Sequence, residues 1–231
     1  NIVGSNLFNM MLVLGFVALF SPVPMSKTTQ KIDFPFLSAV TAILTLCSLD
    51  TFLNGATANV LSSTESILLL IILVLYLYIL ISNANRKRKR QIKQEKYLGI
   101  QSNENQPEEK QIRVWQIILY LVLGLAAVVF GGECVSTTAK FLAIKMGMSE
   151  ALVGLTIVAF GTSLPELATS AIAAKKGEND LALGNVIGSN IINISLILGS
   201  VGLIAQAPVS SVIVTDVIIL LASTLIFTFF C

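Results

Sequence analysis

The chain contains no histidine and carries few charged residues. Only 12% of its 231 residues are charged, whereas 55% are hydrophobic, and the mean hydropathy is +0.83. The absence of histidine excludes histidine metal ligands, and with them Ser-His or Cys-His catalysis. The three cysteines, Cys47, Cys134 and Cys231, have no metal-ligand spacing, so we interpret them as packing residues. No resident cofactor is therefore expected.

Long uncharged stretches place the chain among all-α polytopic membrane proteins. A helix needs roughly 20 apolar residues to cross the hydrocarbon core. Seven helical spans are predicted, at about 1–20, 34–53, 65–82, 114–144, 150–175, 179–205 and 209–231. Because the chain begins and ends within apolar runs, we interpret it as a fragment of a longer protein. The lipid bilayer is its expected surrounding, and no nucleic-acid partner is expected.

One extended polar segment, residues 83–113, separates the third predicted span from the fourth. It carries nine Lys and Arg residues, among them the run 86–90, and is predicted to be a solvated loop. Basic loops favour the cytoplasmic side, so this loop is predicted to be cytoplasmic. The predicted outside segments 54–64 and 206–215 then contain no basic residue. Thirteen of the fifteen basic residues lie inside in this arrangement; the exceptions are Lys140 and Lys145.

The chain also contains an internal repeat. Residues 1–19 and 185–203 are identical at ten of nineteen positions, with a fixed offset of 184 residues. The predicted topology sends the two copies across the membrane in opposite directions. Inverted repeats of this kind are typical of secondary transporters whose substrate site lies at the repeat interface.

A single carboxylate interrupts the apolar stretch between Ala151 and Ala174. This residue, Glu166, belongs to the motif Gly-Thr-Ser-Leu-Pro-Glu-Leu at 161–167. A carboxylate inside a membrane span is costly and by default marks an ion or substrate pathway. Thr162 and Ser163 precede it by four and three residues, so the three side chains can share one helix face. Pro165 has no N–H to bond the carbonyl of the residue four positions earlier, which leaves that oxygen available.

Each repeat adds a serine and an asparagine four residues apart. These pairs are Ser5 with Asn9 and Ser189 with Asn193, and each pair shares a helix face. Together with residues 162, 163 and 166 they form a set of hard oxygen ligands, which suits Ca²⁺ and Na⁺ better than copper or zinc. Taken singly, such small polar residues also serve helix packing, as does the Gly-x-x-x-Gly step at 184–188. Glu133 is a second candidate acid, which either lines a pathway or faces water.

Two other classes of protein are weighed against a transporter. The motif at 161–167 departs from the G-x-S-x-G nucleophile elbow of an enzyme, because its second glycine is proline here. Since the chain has no histidine, an intramembrane enzyme would need a Ser-Lys pair, with Lys140 or Lys145 reaching Ser163. A purely structural membrane protein conflicts with an inverted repeat that has a polar interior. We therefore predict that the protein is not an enzyme.

The motif at 161–167, followed by Gly-Asn-Val-Ile-Gly-Ser-Asn at 184–190 and preceded by Asn-Ile-Val-Gly-Ser-Asn at 1–6, resembles the two α-repeats of the cation/calcium exchanger superfamily. The resemblance implies ten spans in two inverted halves. Residues 1–82 would then hold spans three to five, which complete the first repeat, and 114–231 would hold spans six to nine of a truncated second repeat.

The resemblance also assigns roles to the polar residues. It implies that Glu166 binds Ca²⁺ directly, with Thr162 and Ser163 contributing to the Ca²⁺ or Na⁺ sites. Further ligands would come from Ser189 and Asn193 and from Ser5 and Asn9, while a missing N-terminal half-repeat would supply the second acidic ligand.

The implied function is Na⁺/Ca²⁺ exchange across a membrane by alternating access, with an H⁺-coupled cation exchanger as the alternative. Potassium-dependent members have Asp where this chain has Asn193, which argues against potassium co-transport. The loop at 83–113 is too short for the calcium-sensing domains of large-loop exchangers.

Overall fold

The chain is almost entirely helical. A computed structural model describes residues 2–20, 26–49, 59–97, 114–148, 150–153, 159–205, 207–209 and 211–230. The α-helices are α1 (Ile2–Phe8), α2 (Leu14–Phe20), α3 (Phe34–Cys47), α4 (Ser63–Tyr97), α5 (Val114–Lys145), α6 (Glu150–Val153), α7 (Ala159–Lys175), α8 (Asn179–Ile192), α9 (Gly199–Ala205) and α10 (Ser211–Phe230). Three π-helical segments (Asn9–Val13, Thr29–Asp33 and Asn193–Leu198) and two strands, β1 (Asn59–Leu61) and β2 (Ala207–Val209), complete the described elements.

The prediction of a multi-pass helical membrane protein is confirmed. In the described part of the chain, six helices are long and apolar enough to cross a membrane. They are Ile2–Leu19, Thr29–Cys47, Ser63–Gln94, Ile118–Lys145, Asn179–Ala205 and Ile213–Phe230. The remaining predicted span, at 150–175, corresponds to α6 and the 17-residue α7. Residues 154–158 of that prediction lie outside the described residues.

Two predicted boundaries are wrong. The polar composition of 83–113 predicts a loop, but residues 83–97 continue α4, and 98–113 lie outside the described residues. Lys, Arg, Gln and Glu are good helix formers, so an exposed basic stretch can prolong a span as a helix. The second predicted span, placed at 34–53, begins earlier, because the π-helical segment Thr29–Asp33 leads directly into α3.

The two sequence repeats fold alike. In each, an α-helix passes into a π-helical segment that starts at an asparagine, and the helix then continues. We call residues 2–20 the first repeat helix and residues 179–205 the second. Asn9 and Asn193, where the two π-helical segments begin, are separated by the repeat offset of 184 residues. Because π-helical turns are frequent at functional sites, this shared feature draws attention to the middle of both helices.

A short ribbon connects two loops. The strands β1 and β2 pair antiparallel, with Val60 opposite Pro208. The two strands come from the segments 54–64 and 206–215, which are predicted to lie outside. Their pairing puts both segments at the same end of the helices, as the predicted topology requires.

The helices of the two repeats pack around a shared core. The helix α7 packs against α8 and α1, while α3 packs against α10 and α8. Fully buried apolar side chains fill these contacts, among them Met10, Val13, Leu37, Val40, Leu183, Ile187, Ile191 and Leu220. This arrangement brings α7 and both repeat helices together in the region of their polar residues.

Candidate cation site between the inverted repeats

The helix α7 supplies the sequence-predicted motif and presents it to the first repeat helix. The hydroxyls of Ser5 and Thr162 lie 2.7 Å apart, and the Ser163 hydroxyl donates to the backbone carbonyl of Ser5 at 3.5 Å. Ser5 and Ser163 are both buried. The side chains of Ser5 and Thr162 are thus in direct contact, and the Ser163 side chain contacts the backbone of Ser5.

The serine and asparagine pairs of the two repeats also meet. The Asn9 side-chain amide donates to the Ser189 hydroxyl at 3.1 Å, so the candidate ligands of the first repeat touch those of the second. The Ser189 hydroxyl in turn donates to the backbone carbonyl of Val186 at 3.0 Å. One member of each predicted pair, Asn9 of the first and Ser189 of the second, therefore lies at the contact of the two repeat helices.

Two asparagines that the sequence analysis did not select lie at the centre of this contact. Asn6 and Asn190 are fully buried, at 0% exposure. The Asn6 amide nitrogen donates to the backbone carbonyl of Asn190 at 3.4 Å, and the Asn190 amide nitrogen donates to the backbone carbonyl of Asn6 at 3.3 Å. The signal that could have found them is their identity at equivalent repeat positions in a Gly-Ser-Asn sequence.

The outer asparagines attach to this pair in the same two-fold pattern. Asn9 donates from its amide nitrogen to Asn190 Oδ1, and Asn193 donates from its amide nitrogen to Asn6 Oδ1, both at 3.0 Å. Exchanging each residue with its repeat equivalent, 184 positions away, converts one hydrogen bond into the other. The network therefore has the internal symmetry of the two repeats.

Two buried oxygens of the candidate set accept no hydrogen bond from the residues that the structure describes. They are Glu166 Oε2 and Asn9 Oδ1. Burying an oxygen without a donor is unfavourable, and for an ionised carboxylate strongly so. A bound cation would satisfy both atoms, so these two oxygens are the best-defined candidate ligands.

Asn185, on α8, forms hydrogen bonds to α7 next to Glu166. Its amide nitrogen lies 2.8 Å from Thr169 Oγ1, 3.0 Å from Ser170 Oγ and 3.3 Å from the backbone carbonyl of Glu166. These contacts fix the backbone that carries the carboxylate against the second repeat helix. They leave the carboxylate side chain itself unused.

The other candidate acid is placed differently. Glu133 is exposed on α5, and none of the hydrogen bonds that join the candidate residues involves it. Within the described ranges, no group of three or more His, Cys, Asp and Glu residues could hold a metal ion. The candidate site is instead a set of hydroxyl and amide oxygens around one carboxylate, a donor set suited to Na⁺ or Ca²⁺.

Inverted repeats that meet at a buried polar centre in apolar helices are typical of integral membrane secondary transporters. The chain belongs to the sodium/calcium exchanger family, whose family model, described as sodium/calcium exchanger protein, matches residues 1–82 and 116–231. This family consists of transporters, which agrees with the prediction that the protein is not an enzyme.

Individual relatives agree with the family assignment. The chain is 38% identical over 234 residues to the CaxA protein of Alkalimonas amylolytica, a match that covers 97% of this chain and 66% of CaxA. It is 50% identical over 86 residues to the sodium/calcium exchanger MaX1 of Methanosarcina acetivorans, covering 37% of this chain and 25% of MaX1.

A solved structure of the sodium-calcium exchanger NCX_Mj has the same fold, with a TM-score of 0.72 and 30% sequence identity. The match covers 100% of this chain and 66% of that one. The chain thus spans about two thirds of the length of CaxA and of NCX_Mj.

Proposed function

We propose that the protein carrying this chain exchanges Na⁺ for Ca²⁺ across a membrane by alternating access. The observation that carries this proposal is that two buried oxygens, Glu166 Oε2 and Asn9 Oδ1, accept no hydrogen bond within the described part of the chain, where the inverted repeats are in contact. One oxygen belongs to α7 and the other to the first repeat helix. A Ca²⁺ ion needs six to eight oxygen ligands, and helices from both repeats can supply them together.

In this proposal Glu166 provides the negative charge, and six further residues provide neutral oxygens. These residues are Thr162, Ser163, Ser5, Asn9, Ser189 and Asn193. The second carboxylate is proposed to come from a preceding half-repeat outside this chain. Na⁺ and Ca²⁺ would compete for the same oxygens, so one ion must leave before the other binds, and this competition couples their movements.

A proton-coupled cation exchanger is the second candidate. Burial disfavours the charged form of a carboxylate, so Glu166 can carry a proton in place of Na⁺. This variant uses the same residues and the same alternating access, and it differs only in the ion that displaces Ca²⁺.

The test is Ca²⁺ uptake by proteoliposomes that contain the full-length protein. Na⁺ is loaded inside, radioactive Ca²⁺ is added outside, and uptake is compared with vesicles that lack the Na⁺ gradient. Uptake that requires the Na⁺ gradient and ignores K⁺ supports the proposal. Uptake that follows a pH gradient without Na⁺ supports the proton-coupled candidate. If neither gradient drives Ca²⁺ uptake, both candidates are contradicted.

A further inference from the structure

The four asparagines of the repeat contact form a network in which the orientation of every amide is determined. A backbone carbonyl oxygen can only accept a hydrogen bond. Asn6 must therefore present its amide nitrogen to the carbonyl of Asn190, and Asn190 must present its nitrogen to the carbonyl of Asn6. Neither side chain can rotate its amide by half a turn without placing two acceptors against each other.

This constraint passes to the two outer asparagines. With their nitrogens committed, Asn6 and Asn190 each offer a side-chain oxygen, which accepts the amide nitrogen of Asn193 or Asn9, both at 3.0 Å. An oxygen that only accepts requires a donor from its neighbour, so Asn9 and Asn193 must turn their nitrogens inward. Their own side-chain oxygens then point away from the network, and Asn9 Oδ1 is a buried oxygen that accepts no hydrogen bond from the residues the structure describes.

The burial of the inner pair strengthens this constraint. Because Asn6 and Asn190 are fully buried, water does not replace a lost hydrogen bond, and an unsatisfied amide there is costly. Each inner asparagine also lies one turn or less before the π-helical segment of its own repeat, and that segment begins at the outer asparagine.

We propose that Asn6 and Asn190 are positioning residues that set the amide orientation of the ligands Asn193 and Asn9. Asn6 of the first repeat holds Asn193 of the second, and Asn190 of the second repeat holds Asn9 of the first. The two repeats therefore orient each other's ligand oxygens. The inference rests on the proposed function, because it assumes that Asn9 and Asn193 bind the transported cation. Neither inner residue is required to touch the ion.

The test compares Asn6→Leu and Asn190→Leu in the full-length protein reconstituted in vesicles. Each change removes the amide and keeps the branching of the side chain, so the outer asparagine loses the acceptor that fixes it. We expect the Ca²⁺ concentration for half-maximal uptake to rise by about tenfold, the order of one lost hydrogen bond. The maximal rate per folded molecule should change far less. Asn6→Ala serves in place of Asn6→Leu if the larger side chain prevents folding.

A matched control separates positioning from general stability. Thr41 is also fully buried, and its hydroxyl donates to the carbonyl of Leu37 on the same helix, at 2.7 Å, rather than to the other repeat. Thr41→Val should lower the melting temperature without changing the half-maximal Ca²⁺ concentration. Equal changes in that concentration for Thr41→Val and Asn6→Leu would overturn the proposal.

A double-mutant comparison identifies the residue through which Asn6 acts. In an Asn193→Ala background there is no ligand amide left to orient, so adding Asn6→Leu should not raise the half-maximal concentration further. Fully additive effects would overturn the positioning role and leave the proposed function standing. If Asn193→Ala and Asn9→Ala both leave Ca²⁺ uptake unchanged, the proposed ligand roles fail, and the inference fails with them.

Discussion

The hydroxyls of Ser5 and Thr162 lie 2.7 Å apart, although 157 residues separate them along the chain. This hydrogen bond joins the first repeat helix to α7, which carries the only carboxylate of the candidate set. Candidate residues on the first repeat helix and on α7, which are far apart in the sequence, are thus in contact in the fold. Both residues are candidate ion ligands. The energetic coupling between their hydroxyls can therefore be measured, as well as the effect of removing each one.

Removing either hydroxyl should affect stability and Ca²⁺ affinity together. We expect Ser5→Ala and Thr162→Val each to destabilise the protein by about 1 kcal/mol, the usual net value of one hydrogen bond. The double variant should lose clearly less than the sum, which a thermal-unfolding double-mutant cycle measures. Strict additivity would show that the two hydroxyls do not interact in the membrane.

Replacing the buried carboxylate should stop transport without unfolding the protein. Glu166→Gln keeps the shape of the side chain but removes the negative charge proposed to bind Ca²⁺, so Na⁺-dependent Ca²⁺ uptake should fall to background. Size-exclusion chromatography should show an unchanged, monodisperse protein. The matched control is Glu133→Gln, the same change at an exposed acid, which should leave uptake near the original level. Normal uptake by Glu166→Gln would remove this residue from the site.

The proline inside α7 should trade stability for affinity. Pro165 lies within the continuous helix Ala159–Lys175 and cannot donate to the carbonyl of Gly161. Pro165→Ala restores this donor, so we expect the protein to become more stable by about 1 kcal/mol. If the released carbonyl contributes to the ion site, the half-maximal Ca²⁺ concentration should rise. A more stable variant with unchanged Ca²⁺ dependence would show that the proline only shapes the helix.

A close approach between α5 and α7 should make Gly161 sensitive to substitution. A Cβ atom at this position would overlap the side chain of Ser136 on α5. Gly161→Ala should therefore displace α7 next to Thr162, lower stability by roughly 1–3 kcal/mol and reduce Ca²⁺ uptake.

Gly184 provides the control for that substitution. A Cβ atom there meets no atom of the described residues within 4 Å, so the suggested packing step at 184–188 has no partner in that part of the chain. Gly184→Ala should be neutral or slightly stabilising, because alanine favours a helix more than glycine does. Equal loss of uptake in both variants would contradict the steric explanation.

The membrane topology can be tested by labelling single cysteines. In a background where Cys47, Cys134 and Cys231 are replaced by serine, a cysteine at Asn59 or Val209 should react with a membrane-impermeant reagent added outside intact cells. Both positions belong to the paired strands β1 and β2. A cysteine at Arg88 should react only after the membrane is permeabilised. Labelling of Asn59 and Val209 from opposite sides would contradict the pairing, and labelling of Arg88 from outside would reverse the predicted orientation.

Most residues of the candidate site can be predicted from the sequence, because the patterns that mark them lie within single helices or in the repeat. Glu166 is conspicuous since it is the only charge in a long apolar stretch, and the serine and asparagine pairs follow from helical spacing. The inverted repeat is visible as sequence identity at a fixed offset. The structure brings these predicted side chains together, while their binding of an ion remains a prediction that the experiments above address.

The errors and omissions concern properties that depend on context. Residues 83–97 are polar enough for a loop, yet they extend α4, because basic and amide side chains permit a helix as readily as a loop. The strands β1 and β2 pair although they are far apart in sequence, and no local sequence pattern predicts this pairing.

The order of residues along the chain is enough to predict the class of protein, the repeat, and the residue types of the candidate cation site. Hydrophobic runs and a lone buried charge are physical constraints that act within one helix, so they can be read along the chain. Only the tertiary structure decided which amides meet, and therefore that Asn6 and Asn190 are central. Hydrogen-bond direction depends on which acceptor lies opposite each donor, and that pairing exists only once the two repeats have packed against each other.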